Sequence, residues 1–470
     1  MESHTRALYH APYRRVYAQR TARNGGTQGN RHLEQADTLV EARWIVPVEP
    51  EGAVLEDHAV AVRDGRIAAI LPQAEARNRF HADAEVRLST HVLMPGLVNA
   101  HTHAAMSLFR GLADDLPLMG WLNDHIWPAE QKWISDTFVR EGARLAIAEM
   151  IRGGTTCFND MYFYPDETAR VASEAGMRVV TGLIVLDFPS IWAADADEYI
   201  SKGMEVRDQF RNDPLVTTAF APHAPYTVSD EPLKRVRMYA DELDIPVHMH
   251  VHETADEVAE SMARTGERPI ARLERLGLLT SRLLAVHVTQ LDDNEIRKFA
   301  DLGVHAVHCP ESNLKLASGF CPLHRLHDAG VNVCIGTDGA ASNNDLCMLS
   351  EMRTAALLAK GVSGDASAVP AAAALKMATL GGATALGLEA EIGSLAGGKA
   401  ADMIALDLAQ PESQPVHHPI SQIVYAASRH QVTDVWINGH RIMKGRQLVT
   451  LDTHHILDDA ERWAKNLAGA

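Results

Sequence analysis

The chain has 470 residues and a mass of 51.3 kDa, beyond the roughly 250–300 residues at which a single core stops growing, so several domains or one large barrel with additions are expected. Apolar (46%) and charged (22%) residues stand at ordinary values for a globular enzyme, and 44 basic against 61 acidic side chains leave a net charge of −17. That acidity disfavours a nucleic-acid partner, five cysteines without a CxxC pair disfavour a disulfide framework, and no apolar run of about 18 residues is present to span a membrane.

Residues 1–35 read as an extension. Arg6, Arg14, Arg15, Arg20, Arg23 and Arg31 lie there with only Glu2 and Glu34 as acids, and no apolar signal-type stretch follows. A disordered or loosely docked segment is expected. Residues 36–92 look like short strands, with Asp64-Gly65 marking a hairpin between two apolar runs. The same texture returns in residues 391–450, where Asn438-Gly439 marks a second hairpin. The two β-rich pieces are expected to pair into one small β-sandwich.

Between them, residues 93–390 alternate apolar β-branched runs with amphipathic stretches. The runs include VLMPGLVNAHTH, TTCFNDMY, RVVTGLIV, VTTAFAPH, PVHMHVHE, LLAVHVT, HAVHCPES and VCIGTDG. Eight strands alternating with helices predict an α/β fold, a (β/α)8 TIM-type barrel, with residues 451–470 as a closing surface helix.

Chemistry in such barrels sits at the C-terminal strand ends. Here those ends carry His101 and His103, then His223, then His248, His250, His252 and Glu253, then His287, His308 and Asp338. Residues two apart on a strand share a face, so His101 and His103 can chelate one ion. His248 to His252 spans about 13 Å at ~3.3 Å per residue, so only one of that row can be a ligand and the others are supporting or core residues. Imidazole with carboxylate at an open site suits zinc or iron(II).

Several tempting motifs fail. HETAD starts like HExxH, but Asp256 stands where the second histidine is needed. Gly393–Ala400 has P-loop spacing, but Ala400 replaces the Ser or Thr that must hold magnesium. The cysteines have neither the order nor the spacing of the cysteine-ligated zinc deaminases.

Taken together, PGLVNAHTHAAM, HVHETADE, AVHVTQ, HCPESNLKLASG and GTDGAASNNDLCMLSEMR resemble the amidohydrolase superfamily, in its aminohydrolase branch. The likeness to 5′-methylthioadenosine/S-adenosylhomocysteine deaminases runs from about residue 36 to the C-terminal helix. It implies one zinc per subunit (iron(II) as the variant), held by His101, His103, His250 and Asp338. The end of the fourth strand carries His223 where two-metal relatives carry a bridging lysine. The resemblance further implies hydrolytic deamination, with zinc-bound hydroxide attacking C6 of an adenine nucleoside. Glu253 would be the general acid at N1, while His287 orients the hydroxide and Asp338 accepts its proton. Trp121, Glu130 and His223, with Glu253 and Asp338, would contact the substrate, Glu130 through the ribose hydroxyls. The loop LDFPSIWAADADEYISKG has no arginine to pair a substrate carboxylate, so 5′-methylthioadenosine is expected ahead of S-adenosylhomocysteine and adenosine, with Phe188, Pro189, Ile191 and Trp192 as apolar lining. Trp127 and Trp133 are read as packing residues. The alternative on the same scaffold is a free-base, guanine or triazine aminohydrolase, which has no use for Glu130. The resemblance also implies a homo-oligomer, dimer or tetramer, and a soluble substrate implies a cytoplasmic location.

Overall fold

The computed structural model describes residues 33–468, so the expectation for the N-terminal extension lies almost wholly outside the described residues. The first ordered strand begins at Glu34. Four strands open the chain: β1 (Glu34–Ile45), β2 (Leu55–Arg63), β3 (Arg66–Pro72) and β4 (Phe80–Pro95). Eight short strands follow: β5 (Leu97–Thr102), β6 (Thr155–Met161), β7 (Arg178–Val185), β8 (Val216–Pro222), β9 (Val247–Val251), β10 (Leu283–His287), β11 (His305–His308) and β12 (Val333–Ile335). The chain then returns through β13 (Met403–Asp407), β14 (Val432–Ile437), β15 (His440–Lys444) and β16 (Gln447–Leu448).

The eight central strands are parallel, pair in sequence order, and alternate with helices. Each is almost wholly buried, as strands covered on both faces must be. β12 comes back beside β5, where the Asp338 N–H donates to the His101 carbonyl at 3.0 Å. Gly336 permits this closure: a Cβ there would lie 2.8 Å from the His101 backbone nitrogen. This is the barrel expected from the alternation of runs.

The β-rich ends form one continuously hydrogen-bonded sheet, in the order β16-β15-β14-β13-β4-β1-β2-β3. The sandwich arises because this single sheet curls. One apolar cluster joins Val40, Val60, Val62 and Ile67 from one half to Met403, Ala405 and Trp436 from the other. Both predicted hairpin turns exist, with left-handed Asp64-Gly65 and Asn438-Gly439, and their tips meet. A Cβ on Gly439 would sit 2.6 Å from the Gly65 Cα, so only glycine fits that crossing.

The barrel and the curled sheet are tied by a buried ion pair. Arg178, the first residue of β7, donates to both Asp402 carboxylate oxygens at 3.0 and 3.1 Å. Helix starts follow capping chemistry. Ser135 caps the helix Asp136–Arg152, its Oγ accepting from the Phe138 N–H, and Asp292 forms a capping box with Glu295 on Asp293–Leu302. The final helix, Thr453–Ala468, lies on the first of these, with Trp463 stacked edge-on against Phe138 at 5.1 Å. No helix among the described residues is long and apolar enough to cross a membrane. All five cysteines are buried and unpaired.

Candidate active site

The site is built at the C-terminal mouth of the barrel. β5 is irregular there: its register against β6 shifts between Asn99 and Thr102, which turns His101 inward although Val98 and Ala100 also face the barrel interior. Asp338 follows β12 in a left-handed conformation (φ 60°) that aims its carboxylate back at β5. His101 Nε2 and His103 Nε2 each lie 3.3 Å from Asp338 Oδ1, and His250 Nε2 lies 3.2 Å from His101 Nε2.

The protonation of these rings follows from what their second nitrogens touch. His103 Nδ1–H donates to the Met161 carbonyl at 2.6 Å, and His250 Nδ1–H donates to the His223 carbonyl at 2.8 Å. A carbonyl can only accept, so the protons of the neutral rings sit on Nδ1 and the Nε2 atoms present lone pairs. Two overlapping sets of donor atoms result, His101 with His103 and Asp338, and His101 with His250 and His287, with His101 common to both. A proton or a metal ion can bind such a donor set, and imidazole plus carboxylate fits a divalent transition metal. The cluster draws positive charge. Burial pulls the His103 ring down, but the hydrogen bond and charge of Asp338 outweigh it and raise the ring to about 9. Burial opposes ionisation of Asp338, yet the His101 and His103 rings hold its carboxyl well below the usual range.

Asp338 is braced as well as paired. Its Oδ2 accepts from the Ser312 and Ser342 hydroxyls at 2.6 and 3.0 Å, and its Oδ1 from the Gly339 N–H at 2.8 Å. His287 stacks on His250, with ring centroids 5.4 Å apart. Its Nδ1–H donates to Asn313 Oδ1 at 2.8 Å, which turns Nε2 to within 3.7 Å of the Glu253 carboxylate. Burial pushes the Glu253 carboxyl up. Its backbone is pinned by its own N–H on Glu257 (2.7 Å) and by the Thr289 hydroxyl on its carbonyl (2.7 Å).

A cavity opens from this cluster, and all of Trp121, Glu130, His223, Glu253 and Asp338 line it. Glu130 accepts from the Tyr162 hydroxyl at 2.8 Å, and burial raises its carboxyl to about 7. Burial keeps His223 neutral, at about 3. Trp121 is buried against the wall with no partner for its indole N–H.

Some expectations need correction. Trp127 faces the cavity rather than only packing, whereas Trp133 packs on Trp463. Of the apolar residues expected after the third barrel strand, only Phe188 lines the cavity. Trp192 packs on Tyr199, and Ile191 is 62% exposed, because Asp187 ties this loop to Thr227 and Ser229 and turns it outward. The apolar wall is instead Ile184, Leu186, Phe163 and Tyr226, whose spacing gave no signal. His308 is buried with neither ring nitrogen partnered and does not join the cluster. Ser312, Ser342 and Asn313 also escaped notice, since hydroxyl and amide braces carry no pattern of their own.

A model of the amidohydrolase family matches residues 92–442. A 5-methylthioadenosine/S-adenosylhomocysteine deaminase of Saccharophagus degradans is 50% identical, over 91% of this chain and 96% of that protein. One of Teredinibacter turnerae is 47% identical, over 92% and 98%. Among solved structures, an adenosine deaminase of Xanthomonas campestris with bound zinc is 56% identical over 93% of this chain and 100% of its own, with a TM-score of 0.93. A zinc-complexed atrazine chlorohydrolase of Arthrobacter aurescens shares the fold, with a TM-score of 0.85 at 23% identity over 91% of this chain and 99% of its own. Likeness over this much of the chain goes well beyond a shared barrel, and the chain belongs to the amidohydrolase family.

Proposed function

We propose that this protein is a hydrolytic deaminase of adenine nucleosides, acting best on one with an uncharged, apolar 5′ substituent such as 5′-methylthioadenosine. One zinc would be held by His101, His103, His250 and Asp338. The observation that carries this reading is the continuity of the histidine–aspartate cluster with a cavity that Glu130 also lines. A free base has no hydroxyls to offer Glu130, and a ribose has two.

Zinc bound there supplies electrostatic activation of water, lowering its pKa toward about 7. The chain's own groups do the rest. Asp338, with Oδ2 clamped by two serine hydroxyls, keeps its orientation while it takes up the proton released by water. His287 turns Nε2 toward the attacking oxygen because Asn313 holds its other nitrogen. Glu253, whose carboxyl burial pushes up, delivers a proton to ring nitrogen N1 as charge develops there. The proton taken up by Asp338 passes to the amino nitrogen, ammonia leaves C6 as that C–N bond breaks, the C6 hydroxyl proton returns to Glu253, and the hypoxanthine nucleoside remains. Glu130 accepts from the ribose hydroxyls, and Trp121 and Tyr226 wall the sugar and its 5′ group.

The 5′ preference rests on charge. No lysine or arginine is among the described residues lining the cavity, while Glu130, Glu253 and Asp338 are. The carboxylate of an S-adenosylhomocysteine tail would lose water with no cation to replace it. The test is ammonia release by zinc-loaded protein, ranked by kcat/KM on 5′-methylthioadenosine, S-adenosylhomocysteine, adenosine and guanine. Methylthioadenosine should lead, with S-adenosylhomocysteine well behind. Equal rates on both would remove the charge argument and keep the deaminase. Turnover of guanine alone would move the protein to the free-base branch.

A further inference from the structure

Two of the three histidine ligands are oriented by backbone carbonyls, which no substitution can remove. The third is not. His101 Nδ1 lies 2.8 Å from His248 Nε2, and both rings are wholly buried. His248 sits on β9 two residues before His250, on the same inward face, one layer deeper in the barrel. The sequence placed it only as a supporting or core residue.

We infer that His248 is the positioning residue that fixes the tautomer of His101 and so readies its Nε2 for metal. This rests on the metal site proposed above. For His101 to present a lone pair at Nε2, its proton must sit on Nδ1, and His248 Nε2 must then accept it. That forces the proton of His248 onto its own Nδ1, a buried atom with no hydrogen-bond partner among the described residues. The opposite assignment, with His248 Nε2–H donating, would put a proton on His101 Nε2 and block coordination. Buried donors are rarely left unpaired. Here the arrangement sacrifices a hydrogen bond at His248 Nδ1 to obtain one acceptor at the ligand. The register partner of His248 on β10 is Leu284, part of an apolar cluster, so apolar packing alone does not call for histidine at this position.

The test compares H248L, H248Q and H248N with the unaltered protein by zinc affinity in chelator competition, and by the rate of zinc loss. Glutamine can place an oxygen where Nε2 lies; asparagine reaches only as far as Nδ1. H248L should bind zinc about 10- to 100-fold more weakly, H248N similarly, and H248Q close to the unaltered protein. Wild-type affinity in H248L, or equal losses in H248Q and H248N, would overturn the inference. If H248L does not fold, the glutamine–asparagine comparison decides alone. Failure of the unaltered protein to bind zinc would instead overturn the metal reading, so the two failures are distinct.

Discussion

Glu130 offers the sharpest separation between a nucleoside deaminase and a free-base enzyme. Its Oε1 already accepts from Tyr162 at 2.8 Å, so Oε2 and the remaining lone pairs face the cavity for two sugar hydroxyls. Glu130→Gln keeps the shape and one carbonyl but removes the charge. A hydrogen bond to a charged group contributes about 1.5–3 kcal/mol, so kcat/KM on 5′-methylthioadenosine should fall about 10- to 150-fold. Adenine, which lacks the sugar, should show no matching loss, however slowly it reacts. The pH dependence has a definite sign. Burial raises this carboxyl to about 7, so it is an acceptor above that value and a protonated, poorer one below it. Steady-state kcat/KM for the nucleoside should therefore decline as pH falls through about 7, mainly through KM, and E130Q should lack that limb. Unaltered efficiency in E130Q, or an equal loss with adenine, would refute the assignment of Glu130 to the ribose.

Two further outcomes test other parts of the molecule. Glu253→Gln should lower kcat by about 10²–10⁴-fold while leaving zinc content unchanged by metal analysis, because Glu253 lies outside the proposed ligand set. Arg178→Met should leave Asp402 buried without its cation and reduce stability by about 3–5 kcal/mol in denaturant melts, whereas R178M/D402L should recover much of that loss.

What the sequence disclosed and what it withheld divide along a physical line. Strand-end histidines were legible because period-two geometry is local: His101 with His103, and His250 with Glu253, need only a strand and its end. The same period could not choose among His248, His250 and His252. The choice is made by where β9 stops. Val251 is its last residue and His252 has already turned to φ 54°, so His250 is left at the mouth and His248 one layer below it. The HxH pair conceals a similar dependence, since the shift of β5 against β6, which only pairing creates, turns His101 toward the cavity. Loop side chains were the least legible. Trp127 faces the cavity directly after a π-helical segment, Leu122–Ile126, and Trp192 faces away because Asp187 is bonded across to the loop after β8. Neither feature leaves a mark in residue spacing. The cavity chemistry can therefore be changed at Phe188 or Trp127 without altering any motif that identifies the family. Substrate preference is thus the property of this protein least constrained by its ligand motifs, and the one for which the 5′ tail of the nucleoside is the informative probe.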